Sequence, residues 1–280
     1  MNVYGKVILV TGASSGIGRE LARLLSRRGA RLALLARNTN ALEDLAAELA
    51  GTGVEAPATA PPGSVLAALA VPADVTDRGA VGEAVSTVRS RFGRIDALVN
   101  CAGLGYFGPI ETMSMEDLDT VLRTNVHGLL HVSQAALPAL KESRGIIVNI
   151  SSGLSMRALP FLSAYAGTKS MVNAVSDGMR LELAPYGIRV LTFCPPATST
   201  EFDRKALKGP GVEKVSMAGV KTAAVGKVAA DIAAAIKTEK REAGGGFLKV
   251  MNALAPKLLD RMFAGMALRI GRESGMYAEA

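Results

Sequence analysis

Short apolar runs at Val7 to Val10, Leu32 to Ala36, Ala97 to Asn100, Ile146 to Ile150 and Ile188 to Phe193 alternate with segments of helical period. Arg19 to Arg28 sets Leu21, Leu24 and Leu25 on one face and stops at Gly29. Asp77 to Arg91 does the same with Val81, Ala84, Val85 and Val88 and stops at Gly93. Ser114, with Asp117 three residues on, reads as a capping box that opens a long helix through about Leu140, and Val225 to Ile236 reads as a later helix. Strands separated by helices need crossover connections, so the pattern demands a parallel sheet covered on both faces. Ligands then bind beyond the carboxyl ends of the strands, where the strand order reverses. At 280 residues the chain fits one large α/β domain with a sizeable core.

The residues with chemistry to offer fall at those strand ends. Thr11-Gly12-Ala13-Ser14-Ser15-Gly16-Ile17-Gly18 follows the first run. Its glycines let the backbone turn tightly and approach a pyrophosphate, while the amides that open the next helix supply donors and a positive dipole end. A glycine turn that only lets helix and strand pack closely is the plainer alternative. Further on, a helix over 163–185 puts Tyr165 and Lys169 one turn apart on one face. A phenol with its ordinary pKa of about 10 is a poor proton shuttle near neutrality, and a neighbouring cation favours its ionised form. Ser152, thirteen residues before Tyr165, ends the strand that starts at Ile146, where its hydroxyl can donate to a carbonyl oxygen. Strand alternation points one of Ser151 and Ser152 into the cleft, and the spacing favours Ser152.

These elements, in this order and spacing, make the chain resemble the short-chain dehydrogenase/reductase family from about Gly5 to about Ile236. Asn100-Cys101-Ala102-Gly103 stands where that family has Asn-Asn-Ala-Gly, and Asn125 stands at its catalytic asparagine. The resemblance implies a single Rossmann-type, doubly wound parallel sheet flanked by helices over 1–246, and the amphipathic pattern beyond it adds an expected C-terminal helical extension over 247–280. It implies hydride transfer between a nicotinamide cofactor and a carbonyl/alcohol pair, with Asn125, Ser152, Tyr165 and Lys169 as the catalytic set. In that scheme Lys169 lowers the phenol's pKa and holds the nicotinamide ribose, and Asn125 positions a water between Lys169 and solvent. Read from the residue alone, Asn125 could equally satisfy backbone groups at a helix irregularity. Asp74-Val75 resembles the adenine-binding pair, and Asn100, Ala102 and Gly103 the turn over which the cofactor passes.

Cofactor choice is read at the end of the second strand, where an acidic side chain would bind a ribose hydroxyl pair. Here Ala36 is followed by Arg37, whose fork of donors suits a 2′-phosphate, and Ser14 adds a hydroxyl, so NADP(H) is expected. An ordinary solvated cation is the alternative for Arg37. Two departures from the family stand out. The usual Pro-Gly after the sixth strand is Pro195-Pro196, and Pro196 fixes φ and deletes a donor, although Thr200 keeps the family's place. Ala243-Gly244-Gly245-Gly246 interrupts what should be the last strand. Gly51 to Ala73, with Pro57, Pro61 and Pro62, reads as an exposed insertion before the third strand, although Val65, Leu66 and Leu69 could form a partner-binding turn.

The net charge of +7 and pI near 9.5 invite a nucleic-acid reading, yet there is no Trp, aromatics are 4% of the chain, and no basic stripe is interleaved with aromatics. Nucleic-acid binding is therefore not expected. Cys101 and Cys194, in apolar settings, are expected to stay reduced. His127 and His131 lack a third ligand and read as packing or surface residues, so no metal is expected. No apolar run approaches the roughly 18 residues of a membrane span, and Lys6 to Val10 already reads as a strand and not an address signal. The expectation is a cytoplasmic homo-oligomer, dimer or tetramer. The segment Phe247 to Ile270 alternates apolar residues with Lys249, Lys257, Arg261 and Arg269. Such a helix can close a substrate cleft, form a subunit interface or lie on anionic lipid, and a lid or interface is preferred over peripheral membrane contact. Around the reacting carbon, Leu104, Tyr106, Phe107, Leu154, Met156, Pro160 and Phe161 suggest an apolar lipid-, steroid- or aromatic-type substrate, with Arg157 as the one nearby charge. A cofactor-sensing module without turnover, or a membrane-surface scaffold, is the competing reading.

Overall fold

A computed structural model of the chain describes residues 1–50, 68–212 and 222–273. Seven parallel strands form one sheet in the order β3-β2-β1-β4-β6-β7-β9. They are β1 (Val7–Thr11), β2 (Arg31–Leu35), β3 (Ala68–Ala70), β4 (Ala97–Asn100), β6 (Ile146–Ile150), β7 (Arg189–Cys194) and β9 (Glu242–Gly244). A separate pair, β5 (Tyr106–Phe107) and β8 (Leu207–Lys208), also runs parallel. Strand side chains alternate between two cores. Ile8, Val10, Leu32 and Leu34 face α1 (Gly16–Arg27), α2 (Thr39–Ala50) and α8 (Val225–Thr238). Val7, Leu9, Ala33 and Leu35 face α3 (Arg78–Phe92), α5 (Gly128–Ser143) and α6 (Ser163–Leu183). Both faces are thereby buried, which is why the strands read as nearly continuous apolar runs. The order reverses between β1 and β4, and the crevice at their carboxyl ends is where the functional loops gather.

Local signals set the helix ends. Asp77 accepts from Gly79 N and Ala80 N to open α3, and Gly93 closes it in the left-handed region. Ser114 accepts from Glu116 N and Asp117 N to open α4 (Met115–Leu122). The single long helix expected from there to Leu140 is broken. A π-helical turn over Arg123–His127 separates α4 from α5 and rotates Asn125 inward, as such insertions do at functional sites.

Two further expectations change. The stretch expected as insertion up to Ala73 contains β3 itself. Leu69 packs on the sheet there, and Val71 N donates to Leu34 O at 2.9 Å, so Leu69 is no partner-binding turn. Pro57, Pro61, Pro62, Val65 and Leu66 lie outside the described residues. The last strand forms in spite of its glycines, pairing Thr192 with Glu242 and Cys194 with Gly244. Beyond it, α9 (Gly246–Leu254) and α10 (Pro256–Glu273) make the expected helical extension. Leu259 and Ile270 are buried and Met266 partly so, Met266 and Ile270 packing with Phe107, Val212, Phe161 and Leu162.

Candidate active site

One cavity of about 1540 Å³ runs along the carboxyl ends of the strands. That exceeds the roughly 300–1,000 Å³ of an ordinary small-molecule site and leaves room for two ligands. At one end α1 starts directly after β1. Its N-cap, Ser15, makes no side-chain cap bond, so the first amides of the helix face the cavity unclaimed. A Cβ on Gly12 would lie 2.9 Å from the Ala102 backbone, and one on Gly18 would lie 2.5 Å from Gly12 O. The glycines therefore serve both readings at once: they allow close packing, and they leave a concave, donor-rich cradle. Thr11 Oγ1 accepts from Cys101 N and Ala102 N, both at 3.0 Å, and locks the turn after β4 against this cradle. Ser14, Ser15, Gly16, Ile17, Ala102 and Gly103 line the wall so formed. A dinucleotide's pyrophosphate fits such a set of open amides.

Arg37 and Asp74 stand at the far rim. The guanidinium is 77% exposed and pairs loosely with Asp74 at 3.7 Å. Asp74 Oδ1 accepts from Thr76 N and Thr76 Oγ1 at 2.9 Å, and Val75 completes this wall. The Asn100 side chain is not on the cavity. Its Nδ2 donates to Ser133 Oγ at 3.0 Å and Asn149 Oδ1 at 2.9 Å inside the sheet, while Asn149 Nδ2 donates to Ser176 Oγ at 2.8 Å. Pro195 O accepts from Gly153 N at 2.9 Å, and Thr200 stands 3.5 Å from where a Cβ on Gly16 would be. Pro196 thus does not stop the loop from closing over the glycines. Sequence reasoning missed Lys205 of α7 (Phe202–Lys205), whose Nζ lies 3.3 Å from Ser15 Oγ; its only signal was its place in the loop after β7.

At the other end Tyr165 and Lys169 share one face of α6, both buried. Lys169 Nζ lies 5.9 Å from the Tyr165 ring centroid and donates to Ile150 O at 2.9 Å. Ser151 Oγ donates to Lys169 O at 3.0 Å, while Ser152 Oγ accepts from Leu154 N at 3.1 Å and lies near enough to the Tyr165 phenol to lower its pKa. The electrostatics depart from the expected scheme. Burial raises the Tyr165 phenol well above its ordinary value, with the nearby Ser152 hydroxyl pulling the other way. Burial also pushes the Lys169 ammonium down to about 8. Loss of water outweighs the cation here, because Lys169 Nζ is directed at a carbonyl oxygen.

Asn125 Oδ1 accepts from Leu104 N at 2.7 Å, and its Nδ2 donates to Leu104 O and Thr168 Oγ1, both at 2.9 Å. Its amide thus ties the turn after β4 to α6. Leu104, Tyr106, Phe107 and Leu154 line the substrate end, together with Leu159, Leu162, Phe202 and Phe263, which the sequence did not single out. The Phe202 ring sits 5.5 Å from Tyr165. Phe161 packs on Phe107 instead, and neither Met156 nor Pro160 reaches this wall. Arg157 turns away from the cavity into an ion pair with Asp260 of α10. His131 Nδ1 donates to Val75 O at 3.0 Å with His127 beside it, and both cysteines are free thiols.

Fold and site together define a Rossmann-type oxidoreductase that uses a nicotinamide dinucleotide. The family model described as short chain dehydrogenase matches residues 6–210. A dehydrogenase/reductase SDR family member 7B of Bos taurus is 35% identical over 277 residues, covering 95% of this chain and 82% of the relative. A short-chain dehydrogenase of Burkholderia cenocepacia, solved with NADP, is 26% identical with a TM-score of 0.75, covering 94% of this chain and 99% of that one. A 3-ketoacyl-(acyl-carrier-protein) reductase of Brucella melitensis, solved with NADH, is 28% identical with a TM-score of 0.72, covering 86% and 96%. The chain belongs to the short-chain dehydrogenase/reductase family, whose members are NAD(P)(H)-using oxidoreductases that bind small molecules and commonly form oligomers. Among the described residues no helix is long and apolar enough to cross a membrane.

Proposed function

We propose that the protein moves hydride between NADP(H) and an apolar ketone or aldehyde and its alcohol. The observation that carries this reading is the continuity of one cavity from Arg37 and the glycine cradle to Ser152, Tyr165, Lys169 and an apolar wall. When bound, the nicotinamide supplies or accepts the hydride. Ser152 Oγ donates to the substrate carbonyl oxygen and holds it beside Tyr165 Oη, where burial keeps a proton ready for transfer. Lys169, next along the face, is the group through which that proton is replaced. Asn125 positions Leu104 and Thr168 and is a positioning residue in this scheme. Activity is tested by following NADPH oxidation against carbonyl compounds of graded length.

Relatives in this family use either cofactor, so the preference rests on Arg37. Arg37→Asp removes a charge-assisted contact and adds repulsion, and it should weaken NADPH by about 2–4 kcal/mol while leaving NADH nearly unchanged. Equal affinity changes for both cofactors in a fluorescence titration would remove Arg37 as the selector.

Substrate polarity follows from the wall. Arg157, the cation that the sequence singled out as able to receive a carboxylate, is engaged with Asp260. Each methylene buried against Leu104, Leu159, Phe202 and Phe263 should contribute about 0.8 kcal/mol. Across a series of 2-alkanones kcat/KM should therefore rise several-fold per carbon until the pocket is full. A flat series with high activity on a small keto acid would reverse the reading.

A further inference from the structure

We propose that the outward face of α9 and α10 seats the protein on an anionic phospholipid surface, a role separate from the chemistry of the cavity. The inner side of α10 is satisfied by the domain, with Leu259 and Ile270 buried. Its outer side is not. Val250, Leu254, Leu258, Met262 and Leu268 are each at least half exposed, five of the eleven large hydrophobics exposed among the described residues, so the apolar surface is concentrated on these two helices. Val250 and Leu254 lie one turn apart on α9, and Leu258 and Met262 lie one turn apart on α10, so each helix carries an exposed apolar ridge.

Charge selects the occupant. Lys257, Arg261 and Arg272 are exposed on α10, whereas Asp260 on the same helix already holds Arg157. A second copy docked two-fold on this face would bring like cations together across the seam. A layer of anionic headgroups accepts the same cations, and the leucines and methionine enter the acyl boundary beneath it. Because no described helix is long and apolar enough to cross, α10 lies in the plane of the surface. Phe263, on the cavity side of α10, then puts the substrate end directly behind the lipid-facing helix.

The test is sedimentation of the purified full chain with vesicles of phosphatidylcholine alone and of phosphatidylcholine carrying about 30% phosphatidylserine. Binding is expected only to the anionic vesicles, with release as salt screens the cations. Lys257→Glu with Arg261→Glu should lower partitioning by at least about 25-fold, at about fivefold per cation. Leu254→Ser, Leu258→Ser and Met262→Ser together should abolish it while NADPH titration stays at the wild-type level, which also reports that the variant is folded. Vesicle binding is read without substrate, so failure of the proposed reductase activity leaves this result interpretable. Wild-type protein that binds neither vesicle, equal binding to both, or a triple variant that still sediments with phosphatidylserine overturns the proposal. If neither vesicle binds and the triple variant loses oligomer mass in light scattering, the face belongs to a second copy.

Discussion

Tyr165→Phe is expected to lower kcat by about 10²–10⁴ while NADPH affinity stays close to wild type. The substitution removes one oxygen and keeps the ring, so packing against Phe202, 5.5 Å away, persists. The lost phenol is the group that burial holds protonated beside Ser152. Stability should change little, since the oxygen leaves together with its own burial penalty. Single-turnover NADPH oxidation with a saturating ketone separates the outcomes. A reductase rate within a few-fold of wild type would assign the proton to another donor, and a loss of NADPH binding would make Tyr165 a cofactor residue first.

Lys169→Met should produce the second large effect, with activity and stability moving in opposite directions. A buried ammonium whose pKa falls from 10.5 to about 8 strains the folded state by about 3 kcal/mol near neutrality. Methionine fills similar volume without that charge but leaves Ile150 O without its donor, so a net gain of about 1–2 kcal/mol remains, a rise of a few degrees in Tm. The pH dependence has a fixed sign. Because the folded pKa is depressed, the unfolded chain binds more protons between about pH 8 and 10.5. The wild-type penalty is therefore complete below pH 8 and is relieved as pH rises through that window. The difference in Tm between variant and wild type should be largest at pH 7 and shrink toward pH 10. A variant that melts lower at pH 7, or a difference independent of pH, would show that Lys169 stabilises the ligand-free fold. Turnover should be lost at every pH.

The parallel sheet was legible because each strand is apolar on both faces and each intervening helix carries its own stop, as at Gly93 after Val88. The cradle and the Ser152, Tyr165 and Lys169 set were legible because spacing along a strand end and one helical turn determines proximity. What escaped depends on long-range packing. The π-helical turn that rotates Asn125 leaves no periodic mark in the sequence. Phe202, Lys205 and Phe263 reach the cavity from segments far away in the chain, and Arg157 is claimed by an acid more than a hundred residues later. The sign of the shift at Tyr165 also required burial to be known, since a nearby cation and a loss of water act in opposite directions. β3 was obscured by the prolines preceding it, and three short residues give too little pattern to identify a strand.

The amide ladder through the sheet has a consequence for how the chain finds this arrangement. β4 and β6 are almost uniformly apolar, so sliding one past the other would cost little in hydrophobic burial. Asn100 sits opposite Asn149, and Asn100 Nδ2 meets Asn149 Oδ1 at that alignment, with Ser133 and Ser176 closing the two ends. A slip of one residue would bury several unpaired amide groups at roughly 1–3 kcal/mol each. The ladder thus acts as an indexing pin for a pairing between segments nearly fifty residues apart, in a topology whose assembly is slowed by such non-local contacts. Misaligned collapse of the central strands is penalised, and α6 takes part in that check because it supplies Ser176.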